Sequence, residues 1–169
     1  MGFLEPHGRG RRPVRRDALN TDEPAPDTSR APVIVVHSLA HAVAALNAAA
    51  AAHRLVVLTS APDAGIYAGA GWFSALLGAA REAVPAAQCA AFLDCGDDAG
   101  AAQTAIREGI TGIVFTGPPE VAERLADIAR RGGIRLMATR ATANLDLGME
   151  FFASADGLRQ RCAALWQQS

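Results

Sequence analysis

From residue 31 onward, short apolar runs alternate with stretches whose apolar residues recur every three or four positions. "PVIVVHS", "RLVVLTS", "QCAAFLDCG", "ITGIVFTG" and "IRLMATR" read as five strands. Between them lie helical patterns. "LAHAVAALNAAAAAH" puts Leu39, Val43, Leu46 and Ala50 on one stripe, and "WFSALLGAAREAV" does the same for Phe73, Leu76, Leu77, Ala80 and Val84. "DDAGAAQTAIREG" opens with acids suited to a helix N-terminus and closes on Gly109. "PPEVAERLADIARRGG" starts on prolines, places Val121, Leu125 and Ile128 on one face, and ends in arginines and glycines. A loop containing "NLDLG" then leads to a last helix near 155–166, with Leu158, Cys162 and Leu165 inward.

The strands are continuous apolar runs, the pattern of a parallel sheet buried on both faces. Five parallel strands alternating with helices fit a partial (β/α) TIM-like barrel or a flavodoxin-like sheet. A complete eight-stranded barrel takes about 250 residues, and the chain has 169. Residues 31–169 are expected to form a single α/β domain. Residues 1–30, with basic "RGRRPVRRD" and proline-rich "NTDEPAPDTSRAP", are expected to be a disordered tail.

Composition narrows the chemistry. All sixteen basic residues are arginine. Without lysine there is no Schiff-base catalysis and no P-loop. A net charge of −1, with ten arginines against twelve acids in residues 31–169, argues against nucleic acid as a partner of the folded part. Three cysteines without a CxxC pair, no apolar run near the length of a membrane span, and no signal-peptide pattern lead to the expectation of a reduced, cytoplasmic protein without membrane contact.

Polar residues collect where the strands end: His37 and Ser38, Thr59 and Ser60, Asp94 and Cys95, Thr116, then Thr139 and Arg140. In parallel α/β folds these ends share one edge, where ligand crevices form. The connection over residues 60–73 is unusually long and carries the only tyrosine, Tyr67, so it is a candidate binding loop. "GAGWFS" is not a dinucleotide fingerprint, and there is no G-x-S-x-G elbow. A phosphoacceptor receiver would need acids where His37 and Ser38 stand, and a lysine at Arg140. His37 and His41 have the i, i+4 spacing of a chelating pair, but His37 falls at a strand end rather than on a helix.

Two stretches, "TSAPDAGIYAGAGWFSALLGAAREAVP" and "FLDCGDDAGAAQTAIREGITGIVFTGP", resemble class II, metal-dependent ketose-bisphosphate aldolases over residues 55–117. That family has an "S-x-G-A-x-x-Y-x-G" loop, then "L-D-H-G-D", then a strand running into "D-G-S". The resemblance implies that Asp94 matches the acid that moves a proton on the substrate. It sets Cys95 where the first metal-ligand histidine stands, Ser60 at the sugar-phosphate site, and Thr116 and Gly117 at the "D-G-S" step, whose aspartate is missing. No histidine follows His53, so the family's metal site is incomplete.

The expectation is a small-ligand-binding or interaction module without aldolase activity, with no metal and no cofactor. Its ligand would be small and anionic, or a sugar phosphate, held by His37, Ser60, Tyr67, Thr116, Gly117 and Arg140. A homodimer would cover the unpaired sheet edges. The alternative is an enzyme of altered chemistry, with Asp94 as general acid/base and Cys95 as nucleophile or soft metal ligand.

Overall fold

The valine-rich runs become strands because β-branched side chains pack well on a pleated surface buried on both sides. In the computed structural model, which describes residues 27–167, β1 (Val33–Val36), β2 (Val56–Ser60), β3 (Cys89–Asp94), β4 (Gly112–Val114), β5 (Arg135–Met137) and β6 (Leu145–Asp146) form one all-parallel sheet. The order is β5-β4-β3-β2-β1-β6. Six strands are present, not five. The sixth comes from "NLDLG", which reads as loop because two residues cannot show a period.

Register sorts the sheet into two faces. Ile34, Val36, Val56, Leu58, Leu93 and Ile113 join the helices in the main core. Val57, Phe92 and Val114 form a second cluster on the opposite face, with Val33, Ala90 and Met137 against them. The helices are α1 (Leu39–Ala52), α2 (Ala64–Tyr67), α3 (Gly69–Ala83), α4 (Ala99–Arg107), α5 (Pro119–Arg131) and α6 (Ala155–Ala163). α1 packs between α6 and α3, then α3 meets α4 and α4 meets α5. Each strand from β1 to β5 is laid down beside the one before it. That is the succession of a (β/α) barrel, not of a flavodoxin-like sheet. The sheet stays open, with β5 and β6 as its edges.

Local signals set the helix ends. Ser38 caps α1, Asp98 caps α4 and Ser154 caps α6, each accepting a backbone N–H of the first turn. The expected long loop over 60–73 is mostly helical. Asp63 (φ 61°) turns the chain into α2, and Gly69 (φ +82°) separates α2 from α3. Two stripes also rotate. α1 buries Ala42, Ala45, Leu46 and Ala49 and leaves Leu39 exposed, while α5 buries Ala122, Leu125 and Ala129 and leaves Ile128 exposed. Alanine carries little hydrophobic signal in a sequence, but it is the residue that lets helix and sheet approach closely. Residues 1–26 of the expected tail lie outside the described residues; Thr28–Ala31 close a turn through the Ala31 N–H and the Thr28 carbonyl.

Between β3 and β4 the approach is closest at Gly112, where an added Cβ would fall on the Ala91 carbonyl oxygen and the Phe92 ring. Gly112→Ala is expected to destabilise the fold by about 1–3 kcal/mol, the usual cost of overpacking. Urea unfolding measures it, and an unchanged midpoint would contradict that packing.

Candidate functional site

Asp94 ends β3 with only 2% of its surface exposed. A carboxylate placed there must be compensated, because an uncompensated buried charge is costly. The compensation comes from three segments. The backbone N–H groups of Asp63 and Gly96 donate to Oδ1 at 3.0 and 2.9 Å. Arg140, just beyond β5, donates Nε to Oδ2 at 2.6 Å and Nη2 to Oδ1 at 3.0 Å. Nη2 also donates to Asp63 Oδ1 at 2.7 Å. Ser60 Oγ, buried at the end of β2, accepts the Asp94 backbone N–H at 2.9 Å and donates to the Ala61 carbonyl.

This network sits at the polar end of a pocket of about 220 Å³. Val35, Val57, Phe92, Val114 and Met137 supply its apolar wall from the helix-free face of the sheet. Ala141 and Ala143 line it from the segment joining β5 to β6, which runs from one edge strand to the other. Asn144 anchors that segment: its Oδ1 accepts the Val33 N–H at 2.8 Å, and its own N–H donates to the Val33 carbonyl at 2.8 Å. Asp146, on β6, also lines the pocket and contacts His37 Nε2 at 2.7 Å.

Charge is shared unevenly. Burial alone would push the Asp94 carboxyl up. The Arg140 hydrogen bonds, the Asp63 and Gly96 N–H groups and the Arg140 charge outweigh it, so the net shift is below the usual aspartate value. Cys95 moves the other way: burial, then the charges of Asp94 and Asp98, push its thiol up to about 12. Its Sγ packs against Gly65 of α2, behind the sheet and away from the pocket. A thiol in that setting is neither an activated nucleophile nor a ready soft ligand.

The structure therefore brings Asp94, Arg140 and Ser60 together at one pocket and keeps the other candidates apart. His37 reaches the same rim only through Asp146. Tyr67 on α2 is 68% exposed and lines no part of the pocket. Thr116 donates its backbone N–H to the Gly96 carbonyl, and Gly117 lies where a side chain would strike the Phe115 ring. Neither lines the pocket. Asp63 and Asp146 were not legible as site residues. Asp63 reads as a turn residue, and Asp146 sits in a strand too short to recognise. The donor set does not fit the metal that the aldolase resemblance implies. Cys95 faces inward, and among the described residues no three His, Cys, Asp or Glu side chains converge.

The fold is that of aldolase-like proteins. A protein from Coccidioides immitis assigned as a fructose-1,6-biphosphate aldolase superposes with a TM-score of 0.50 at 22% identity. The match covers 63% of this chain and 44% of that protein, so this chain spans less than half its length. No family model and no curated protein matches the sequence. Among the described residues no helix is long and apolar enough to cross a membrane.

Removing the guanidinium tests the network. Arg140→Ala leaves a buried carboxylate without its charge partner and is expected to cost about 3 kcal/mol, the low end for a broken buried pair because Arg140 is itself 43% exposed. The pH dependence should weaken. In the native protein the Asp94 carboxyl titrates low, so its contribution is present above the ordinary aspartate value and lost as pH falls through the lower folded one. In the variant only the Asp63 and Gly96 N–H groups oppose burial, so the folded carboxyl should titrate higher than in the native protein and less stability should be lost on going from pH 7 to pH 4. Chemical denaturation at the two pH values measures this; parallel curves for both proteins would contradict it.

Proposed function

We propose that this aldolase-like chain binds a small, mostly apolar ligand in the pocket at its strand ends and does not carry out aldol cleavage. The observation that carries this reading is the occupancy of the Asp94 carboxylate. A general acid or base needs an oxygen within reach of the proton it moves. Both Asp94 oxygens already accept from Arg140, and Oδ1 accepts two backbone N–H groups as well. The geometry suits an anchor for Arg140 and the segment after it.

The walls indicate the ligand's character. An apolar cavity of about 150 Å³ holds benzene, and this pocket is about 220 Å³. Its lining carries Asp94 and Asp146 against Arg140, and Asp63, outside the lining, pairs with the same guanidinium. Three carboxylates to one guanidinium disfavour a phosphate. They suit an uncharged ligand whose single hydroxyl or carbonyl meets the remaining donor, Arg140 Nη1, which has no acceptor among the described residues.

Ligand-shift melting tests the reading. Binding to the native state raises the melting temperature. Benzyl alcohol is expected to raise it in a saturable way, and fructose 1,6-bisphosphate to leave it unchanged and uncleaved, with or without added divalent metal. Ala143→Phe, which fills the pocket from the exposed crossing segment, should remove the benzyl alcohol shift. Cleavage of the bisphosphate would overturn the proposal, and so would a shift that survives Ala143→Phe.

A further inference from the structure

A second pocket, of about 400 Å³, opens at the opposite end of the sheet. Ala31 and Pro32 precede β1, Arg54 precedes β2 and Asn144 precedes β6, so this pocket lies where these three strands begin. The first pocket lies at the other edge, where strands end. Nothing in the aldolase-like resemblance places a function here.

What sets this pocket apart is its two guanidinium groups. Arg30 and Arg54 both line it, and among the described residues neither pairs with a carboxylate. The nearest acid in sequence, Asp27, is turned to the Ser29 N–H and towards the Arg135 charge. Trp166, another lining residue, has its indole Nε1 buried with no hydrogen-bond partner among the described residues. An indole nitrogen is a donor only, and a buried donor without an acceptor is costly. Asn144 uses its Oδ1 on the Val33 N–H, which leaves its amide nitrogen as a further donor. Two guanidinium groups and an amide nitrogen without an acceptor among the described residues therefore line one cavity, next to a buried indole.

We propose that this pocket is a binding site for a phosphomonoester, its phosphate held by Arg30 and Arg54 beside the Trp166 indole. Guanidinium forks match the oxygens of a phosphate. The pocket is larger than a phosphate alone, which leaves room for the esterified group. This site is independent of the strand-end pocket and of the reading proposed for it.

The Trp166 indole, next to the pocket, reports binding. The chain has two tryptophans, Trp72 and Trp166, so an amide-nitrogen correlation spectrum shows two indole peaks, and Trp72→Phe assigns them. Titrating the full chain with phenyl phosphate is expected to move the Trp166 peak in a saturable way. Inorganic phosphate should do so at least ten times more weakly. Arg30→Gln with Arg54→Gln should weaken phenyl phosphate binding at least tenfold while leaving the melting temperature of the free protein unchanged, since both side chains are exposed. Added salt should weaken it as well. A Trp166 peak that does not move overturns the proposal. A shift that survives the double substitution overturns it equally, as would an equal response to the two phosphates.

Discussion

One buried carboxylate gathers three separate pieces of chain. Asp94 takes an N–H from the β2–α2 turn, another from the turn after β3, and two guanidinium donors from the segment after β5. Hydrogen bonds of this kind, with both partners charged, are the strong ones, and here the acceptor is almost fully removed from water. The same bonds explain why the charge is tolerated at that depth. They also position Arg140 at the start of the segment that lines the pocket and leads into β6. The pocket's existence and the fixed position of the strand-end side chains both follow from that arrangement.

The sheet shows why such a fastening is needed. A complete barrel covers its inner face by closing on itself. Here the described residues form six strands and the sheet edges do not meet. The inner face carries Val57, Phe92 and Val114, which must be kept from water by other means. The segment from β5 to β6 supplies cover with small residues, Ala141 and Ala143, and is tied down at one end by Arg140 and at the other by Asn144. An aldolase-like order of strands is thus combined with a different way of finishing the interior.

Much of this was legible in the sequence. The alternation of apolar runs with helical patterns specified the parallel α/β class, and the caps and glycines marked most helix ends. The convergence of Asp94, Ser60 and Arg140 followed from placing strand ends on one edge. The rest was hidden for identifiable reasons. β6 is too short to have a period. The alanine faces of α1 and α5 look bland beside Leu39 and Ile128, yet they are the ones that pack. Cys95 follows Asp94 directly, so it points to the other side of the sheet, and the alternation of a strand separates two residues that a motif joins. The pairing of Asp94 with Arg140 spans 46 positions and has no local signature.

The Asp94 carboxylate is either a spent acceptor or a working acid. Its titration, followed by carbon NMR of the side-chain carboxyl in the intact protein, decides between them. The structure predicts a midpoint below the ordinary aspartate value, unchanged when benzyl alcohol occupies the pocket. A midpoint raised toward neutrality, as a general acid in an apolar site would show, would contradict it.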